Sequence, residues 1–148
     1  MIYLKDSKIR VHGSEQVAKV FNDLLHLEDE VDREKEHFYV MHLDIRSRVN
    51  LVELVSLGSL SCSIVHPRET FRRAVIHGSA SIIIGHNHPS GEPDPSDEDM
   101  KVTKILLEGG KVLGIDVLDH IVFTDRKFFG FKLNSTQDMG NIAEEGGE

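Results

Sequence analysis

Two histidines and an aspartate in the middle of the chain have the types and the spacing of a metal site. His86 and His88 stand two residues apart, directly after an apolar run over residues 81–85. In an extended segment the side chains alternate between faces, so both imidazoles project from the same side. Asp99 follows eleven residues after His88 and can offer a carboxylate to the same ion. Two imidazoles and one carboxylate, with a fourth position left to water, are the ligand set of a catalytic zinc site.

A structural interpretation of the same residues stays open. The chain has 9 histidines, so a pair at this spacing can arise by chance. His86 could be a core histidine that binds a backbone carbonyl. His120 could either support the metal ligands or be a buried structural histidine, and the structural role is favoured. Ser96 and Asp99 are spaced as in a capping box at a helix N-terminus. The metal hypothesis is nevertheless favoured, because the Pro- and Gly-rich loop after His88 brings three ligand residues within reach of one point.

A hydrolase built on such a site also needs a general base. A zinc ion lowers the pKa of a bound water to about 7 and polarises a carbonyl, and a glutamate can then relay the proton to the leaving amine. Two positions are favoured: Glu36 lies immediately before a predicted strand, and Glu53 lies within an apolar strand that would perturb its pKa. Spacing does not choose between them, because the base can come from anywhere in the chain. The other candidates are Glu34 and Glu69.

Hydrophobic periodicity predicts an α/β domain around these residues. Apolar residues spaced by three and four predict helices, and alternating or continuous apolar runs bounded by turns predict strands. The predicted helices cover residues 14–27, 67–78 and 97–108, the last one stopping at Gly109-Gly110. The predicted strands cover residues 38–44, 49–55, 81–85, 116–124 and 127–133, with a looser β segment at 57–65. The ligands then lie where open α/β sheets usually place their sites, at and just after a strand end.

Composition and charge limit the classes of function. The chain has 148 residues, which is enough for one domain with a substantial core. The net charge of −8 argues against broad nucleic-acid binding, which depends on Lys and Arg neutralising phosphates. One local basic cluster is formed by Arg68, Arg72 and Arg73. No apolar run approaches the ~20 residues that cross a bilayer. The single Cys62 allows no internal disulfide and fits a reducing cytoplasm.

The residues around the candidate site resemble a known family. His86, His88, Ser96 and Asp99 match H-x-H-x7-S-x-x-D, the zinc motif of JAMM (MPN+) metalloproteases, in all four residues and in their spacing. Beyond this motif, the sequence is similar to the RadC family at residues 36–40, 65–69, 86–91 and 118–121. This resemblance covers residues 10–133.

The resemblance implies roles for five residues. His86, His88 and Asp99 would be the zinc ligands, with water as the fourth. Glu36 would be the catalytic glutamate, and Ser96 would stabilise the tetrahedral intermediate. The implied reaction is hydrolysis of a peptide or isopeptide amide in a peptide or protein substrate.

The resemblance also implies a fold and a domain layout. The fold would be a JAB/MPN domain, an α-β-α sandwich with a mixed sheet similar to that of cytidine deaminases, over residues 1–133. The polar, Gly-rich residues 134–148 are predicted to form an acidic, disordered tail.

Three other functions compete with the peptidase hypothesis. Longer RadC proteins carry an N-terminal helix-hairpin-helix segment that contacts DNA, whereas the first helix predicted here begins at residue 14. Direct DNA binding is therefore disfavoured, although a role as a DNA-repair accessory protein stays open. A non-catalytic MPN interaction module ranks lower, because this chain keeps every ligand residue. A zinc deaminase would need H-x-E and P-C-x-x-C motifs, and both are missing.

Overall fold

A seven-stranded mixed sheet forms the centre of the structure, a computed structural model that describes residues 1–61 and 63–140. The strands are β1 (Ile2–Tyr3), β2 (His37–Leu43), β3 (Val49–Leu57), β4 (Ser81–Asn87), β5 (Asp116–Phe123), β6 (Lys127–Gly130) and β7 (Ser135–Asp138). The helices are α1 (Ser14–Leu25), α2 (Glu30–Arg33), α3 (Pro67–His77) and α4 (Asp97–Leu113). Within these described residues, no helix is long and apolar enough to cross a membrane.

The strands lie in the order β1-β3-β2-β4-β5-β6-β7. Neighbouring strands are antiparallel except for β4 and β5, which are parallel. Parallel neighbours need a crossover connection, and α4 provides it. The start of α4 therefore lies beyond the end of β4, which is the end that carries His86.

Side-chain alternation in the central strands separates two hydrophobic cores. In β2, Tyr39 and Met41 pack into the core beneath α1, whereas Phe38 and Val40 pack into the core beneath α3 and α4. Strand β4 follows the same period of two, which directs His86 to the α3 and α4 side. The helices cover both faces of the sheet, so the predicted α-β-α sandwich with a mixed sheet is confirmed.

Helix α4 does not stop at the glycine pair, as the sequence predicts, but continues to Leu113. A Cβ at Gly110 would collide with the backbone oxygen of Ile115, and a Cβ at Gly109 would lie 3.3 Å from the ring of Phe71. The two glycines therefore permit close packing rather than ending the helix. Gly114, in the left-handed conformation with φ 72°, ends it.

Two further expectations are wrong in their local structure. Residues 58–61 of the expected β segment at 57–65 form no strand. Gly58 N–H donates to the backbone oxygen of Glu36, and Leu60 N–H donates to the Glu36 carboxylate instead of to a strand backbone. Ser135–Asp138, expected in a disordered tail, form β7 against β6. This strand is largely exposed, so its sequence has no apolar pattern, and its backbone pairing with β6 holds it in place. Residues 141–148 of the expected tail lie outside the described residues.

Substitution of Gly85, one position before His86, tests how tightly the sheet packs against α1. A Cβ at this position would lie 2.5 Å from the ring of Phe21, which itself stacks between Tyr39 and Phe123. Because that ring has no free side to move toward, we expect Gly85→Ala to lower the free energy of unfolding by about 1–3 kcal/mol. Urea denaturation measures the loss. In the background of Phe21→Leu the same glycine substitution should cost less, and an equal cost in both backgrounds would contradict the clash.

Candidate metal centre

The three predicted ligands come together because a strand end and a helix start meet at one point. His86 is in β4, and His88 is the first residue after the end of that strand. The first turn of α4 is fixed by a capping box, in which Ser96 Oγ accepts from the backbone N–H of Asp99 at 3.1 Å. In return, Asp99 Oδ2 accepts from the backbone N–H of Ser96 at 2.8 Å. The cap orients the Asp99 carboxylate toward the two histidines.

The ligand atoms form a compact triangle. His86 Nε2 lies 3.0 Å from His88 Nε2 and 3.1 Å from Asp99 Oδ1, and His88 Nε2 lies 3.1 Å from Asp99 Oδ2. Tetrahedral ligands at zinc distances are about 3.4 Å apart. A small expansion of the triangle would therefore admit a metal ion, and the donor set of two imidazoles and a carboxylate fits a divalent transition metal.

One side of the triangle is closed by protein and the other faces an open cavity. The side chains of His86 and Asp99 are 1% and 3% exposed, whereas that of His88 is 14% exposed. His88 Nδ1 lies 2.9 Å from the backbone oxygen of Glu92, so this nitrogen is the donor. The lone pair of His88 is then on Nε2, which faces the other two ligands.

The charges of the site support each other. Burial by itself raises the pKa of Asp99, but the hydrogen bonds with His86 and His88 outweigh burial and lower that pKa well below its usual range. Burial by itself lowers the pKa of His88, and the hydrogen bond with Asp99 outweighs it and raises the pKa of His88 above 6.5. The buried carboxylate is therefore ionised and attracts a cation, which is a proton on His88 or a metal ion in its place.

Glu36 and Ser96, the two predicted catalytic residues, line one cavity beside the candidate ligands. This cavity of about 330 Å³ also contacts His88 and Asp99. Glu36 is fixed at the rim, since its backbone oxygen accepts from Gly58 N–H and its Oε2 accepts from the N–H of Leu60. Ser96 is exposed and caps the start of α4. The predicted set of five residues thus occupies one place in the fold.

The other candidate bases lie elsewhere. Glu53 is buried, and its carboxylate lies 2.6 Å from Arg73 and 3.3 Å from His42. These two partners account for a carboxylate in the core, so no role at the metal centre is needed to explain it. Glu69 pairs with Arg72 on α3. Glu34 lines a neighbouring cavity. Because Arg72 and Arg73 each pair with a glutamate, the basic cluster predicted at residues 68–73 is largely neutralised.

His120 has a closer connection to the site than the favoured structural role suggested. It is 1% exposed, and its Nε2 lies 2.8 Å from His86 Nδ1. Burial and the neighbouring His86 lower the pKa of His120 well below 6.5, so the ring is neutral. Sequence reasoning missed Thr103, which contacts His120 and the backbone of Asp99. The available signal was its spacing, since Thr103 follows Asp99 by one helical turn.

Comparison with known proteins supports the sequence resemblance. The family model described as "RadC-like JAB domain" matches residues 11–136. A UPF0758 protein of Methanosarcina acetivorans is 52% identical over 101 residues, which are 68% of this chain and 44% of that protein. A UPF0758 protein of Desulforamulus reducens is 48% identical over 106 residues, 72% of this chain and 47% of that protein. The chain thus spans less than half the length of these curated relatives.

The carboxylate of Asp99 should be essential for metal binding. We expect Asp99→Asn to reduce bound zinc from about one equivalent to a small fraction, because it removes the charge while retaining an oxygen for the helix cap. Metal content after equilibration with zinc and gel filtration measures this. Asp97→Asn is the matched control, since Asp97 is in the same helical turn but is not among the three ligands. Equal metal content in Asp99→Asn and Asp97→Asn would contradict the assigned site.

As the pH is lowered, zinc binding should begin to weaken at a higher pH than it would at an isolated imidazole. A metal must displace the proton of His88, whose pKa is raised, whereas Asp99 stays ionised because its pKa is lowered. Below the pKa of His88, the apparent zinc affinity should fall about tenfold per pH unit. Competition titrations from about pH 8 to about pH 5.5 span the usual histidine range. A constant affinity across this interval would contradict proton competition at His88.

Proposed function

Because the chain belongs to the RadC-like JAB domain family, we propose that it is a zinc-dependent hydrolase of amide bonds, acting as a peptidase or isopeptidase. His86, His88 and Asp99 would hold the zinc ion. The observation that carries the proposal is that Glu36 and Ser96 line one open cavity together with His88 and Asp99, the two residues that His86 contacts. A site with a structural role alone has no need of a carboxylate and a hydroxyl at its open side.

The ligand set favours zinc and leaves a position open. Two neutral imidazoles and one carboxylate, without a thiolate, are typical of catalytic rather than structural zinc sites. When bound, zinc acts as a Lewis acid that lowers the pKa of a water molecule to about 7 and polarises a carbonyl. The cavity beside His88 and Asp99 provides the space from which water and a substrate would approach.

Glu36 is positioned to act as the general base. Leu60 N–H donates to its Oε2 at 3.0 Å and fixes the carboxylate, while Oε1 has no hydrogen-bond partner among the described residues. Oε1 would take the proton of the attacking water as the water oxygen bonds to the carbonyl carbon. When the C–N bond breaks, Glu36 would deliver that proton to the leaving nitrogen. One residue thus serves both proton transfers.

Ser96 is positioned to stabilise negative charge on the substrate. Its Oγ accepts from the backbone N–H of Asp99, which leaves its own O–H free to donate into the cavity. The carbonyl oxygen of an amide becomes negative as water attacks, and a preorganised donor at that point lowers the barrier. The positive end of the dipole of α4 adds to this stabilisation.

A second cavity favours an extended substrate over a small amide. This cavity of about 580 Å³ adjoins the first, and the two share His88 and Pro89 in their walls. Its lining combines apolar Leu25 and Phe123 with charged residues from α2 and the β5–β6 turn. A peptide chain crossing His88 would contact both cavities, so the scissile bond could be held with residues on either side.

The role of Glu36 can be tested without knowledge of the natural substrate. Zinc-loaded protein would be incubated with a set of fluorescence-quenched peptides and a peptide branched through a lysine isopeptide bond. We expect Glu36→Gln to retain one zinc ion and to lose hydrolysis by at least about 100-fold, since general base catalysis contributes 10²–10⁴-fold. Glu69→Gln, which changes an exposed glutamate on α3, is the matched control and should retain full activity.

Two outcomes would contradict this proposal. Undiminished hydrolysis by zinc-loaded Glu36→Gln would exclude Glu36 as the base. Failure of the zinc-loaded wild-type protein to hydrolyse any amide in the set would count against the hydrolase itself and in favour of an interaction module.

A further inference from the structure

A chain of hydrogen bonds through the protein interior connects the two most buried metal ligands. His86 Nδ1 lies 2.8 Å from His120 Nε2, and His120 Nδ1 contacts the hydroxyl of Thr103. The same hydroxyl lies 2.7 Å from the backbone oxygen of Asp99. The chain therefore begins at a ligand side chain on β4 and ends on the backbone of a second ligand on α4.

A metal ion bound at His86 Nε2 would fix the direction of every hydrogen bond in this chain. A neutral histidine that binds a metal through Nε2 carries its proton on Nδ1, so His86 must donate to His120. His120 then accepts at Nε2 and donates from Nδ1 to Thr103 Oγ1. The hydroxyl proton of Thr103 remains for the carbonyl oxygen of Asp99, which accepts it. At no point do two donors or two acceptors face each other.

The surroundings hold the His120 ring in the required orientation. The ring stacks on Phe131 with centroids 4.7 Å apart and an angle of 5°, and it contacts Phe38 edge-on. The backbone N–H of His120 donates to Asp119 Oδ1 at 2.8 Å. Because the ring is fully enclosed, His120 can act as a rigid acceptor for His86.

We propose that His120 and Thr103 are positioning residues for the metal ligands, an inference that rests on the metal site of the proposed function. They hold His86 in the tautomer whose Nε2 lone pair faces the ion, and they tie it to the helical turn that carries Asp99. Without this acceptor, His86 can also adopt the tautomer with a proton on Nε2, which cannot bind a metal. Loss of such a partner reduces metal affinity by about 10–100-fold.

Two conservative substitutions of Thr103 separate hydrogen bonding from packing. Thr103→Val retains the shape of the side chain and removes the hydroxyl, whereas Thr103→Ser retains the hydroxyl. We expect Thr103→Val to weaken zinc binding by about 10–100-fold and Thr103→Ser to remain close to wild type. The readouts are the zinc dissociation constant, measured by competition with a chromophoric chelator, and the visible spectrum of the cobalt(II)-substituted protein, which reports ligand geometry.

Two further variants complete the test. Thr70→Val is the matched control, because Thr70 is also a buried helical threonine and its hydroxyl has no partner among the described residues. It should leave the zinc affinity and the cobalt spectrum unchanged. His120→Phe retains an aromatic ring against Phe131 but removes the acceptor, so it should weaken zinc binding at least as much as Thr103→Val. Combining it with Thr103→Val should add little, because the chain is already broken.

The inference is overturned if folded Thr103→Val has the zinc affinity and cobalt spectrum of the wild-type protein. Equal weakening in Thr103→Val and Thr103→Ser would also overturn it, since packing would then explain the loss. If circular dichroism shows that Thr103→Val does not fold, His120→Phe decides the same question. Because these readouts require zinc binding alone, a protein that binds zinc and hydrolyses no amide contradicts the proposed function and leaves this inference intact.

Discussion

The structure around the site depends on one buried carboxylate, that of Asp99. Its Oδ2 caps the start of α4 through Ser96 N–H while also facing His88, and its Oδ1 faces His86. A buried charge is costly unless it is paired and hydrogen-bonded. Here the helix N-terminus and the two imidazoles compensate it together. The start of a helix and the candidate metal centre are therefore one physical feature, and neither can move without the other.

The site has a buried interior within the sheet and an accessible rim outside it. His86 and His120 lie on strands in the middle of the sheet, where hydrogen-bonded neighbours on both sides fix the backbone. Glu36 and Ser96 instead lie just outside regular elements, next to solvent. Metal binding thus relies on the core, whereas the groups proposed to transfer protons and stabilise charge remain accessible to a substrate.

Local patterns were sufficient to select the three candidate ligands, which the structure brings together, and to predict most of the elements. The spacing of His86 and His88 in an extended segment, and of Ser96 and Asp99 in a helix start, is set within a few residues by backbone geometry. The same holds for α3, whose predicted beginning at Pro67 and end at Gly78 are confirmed. Such features depend on the period of a strand or a helix, so the sequence determined them by itself.

Only the tertiary structure decided which distant residues support these ligands. Four glutamates were candidate bases, and the contact between Glu36 and Leu60, 24 positions away, placed one of them at the cavity. His86 and His120 are 34 positions apart and meet because β4 and β5 are parallel neighbours. The continuation of α4 past Gly110 depends on close packing of this glycine against residues outside the helix. Periodicity does not encode such contacts, because they arise from how the elements pack.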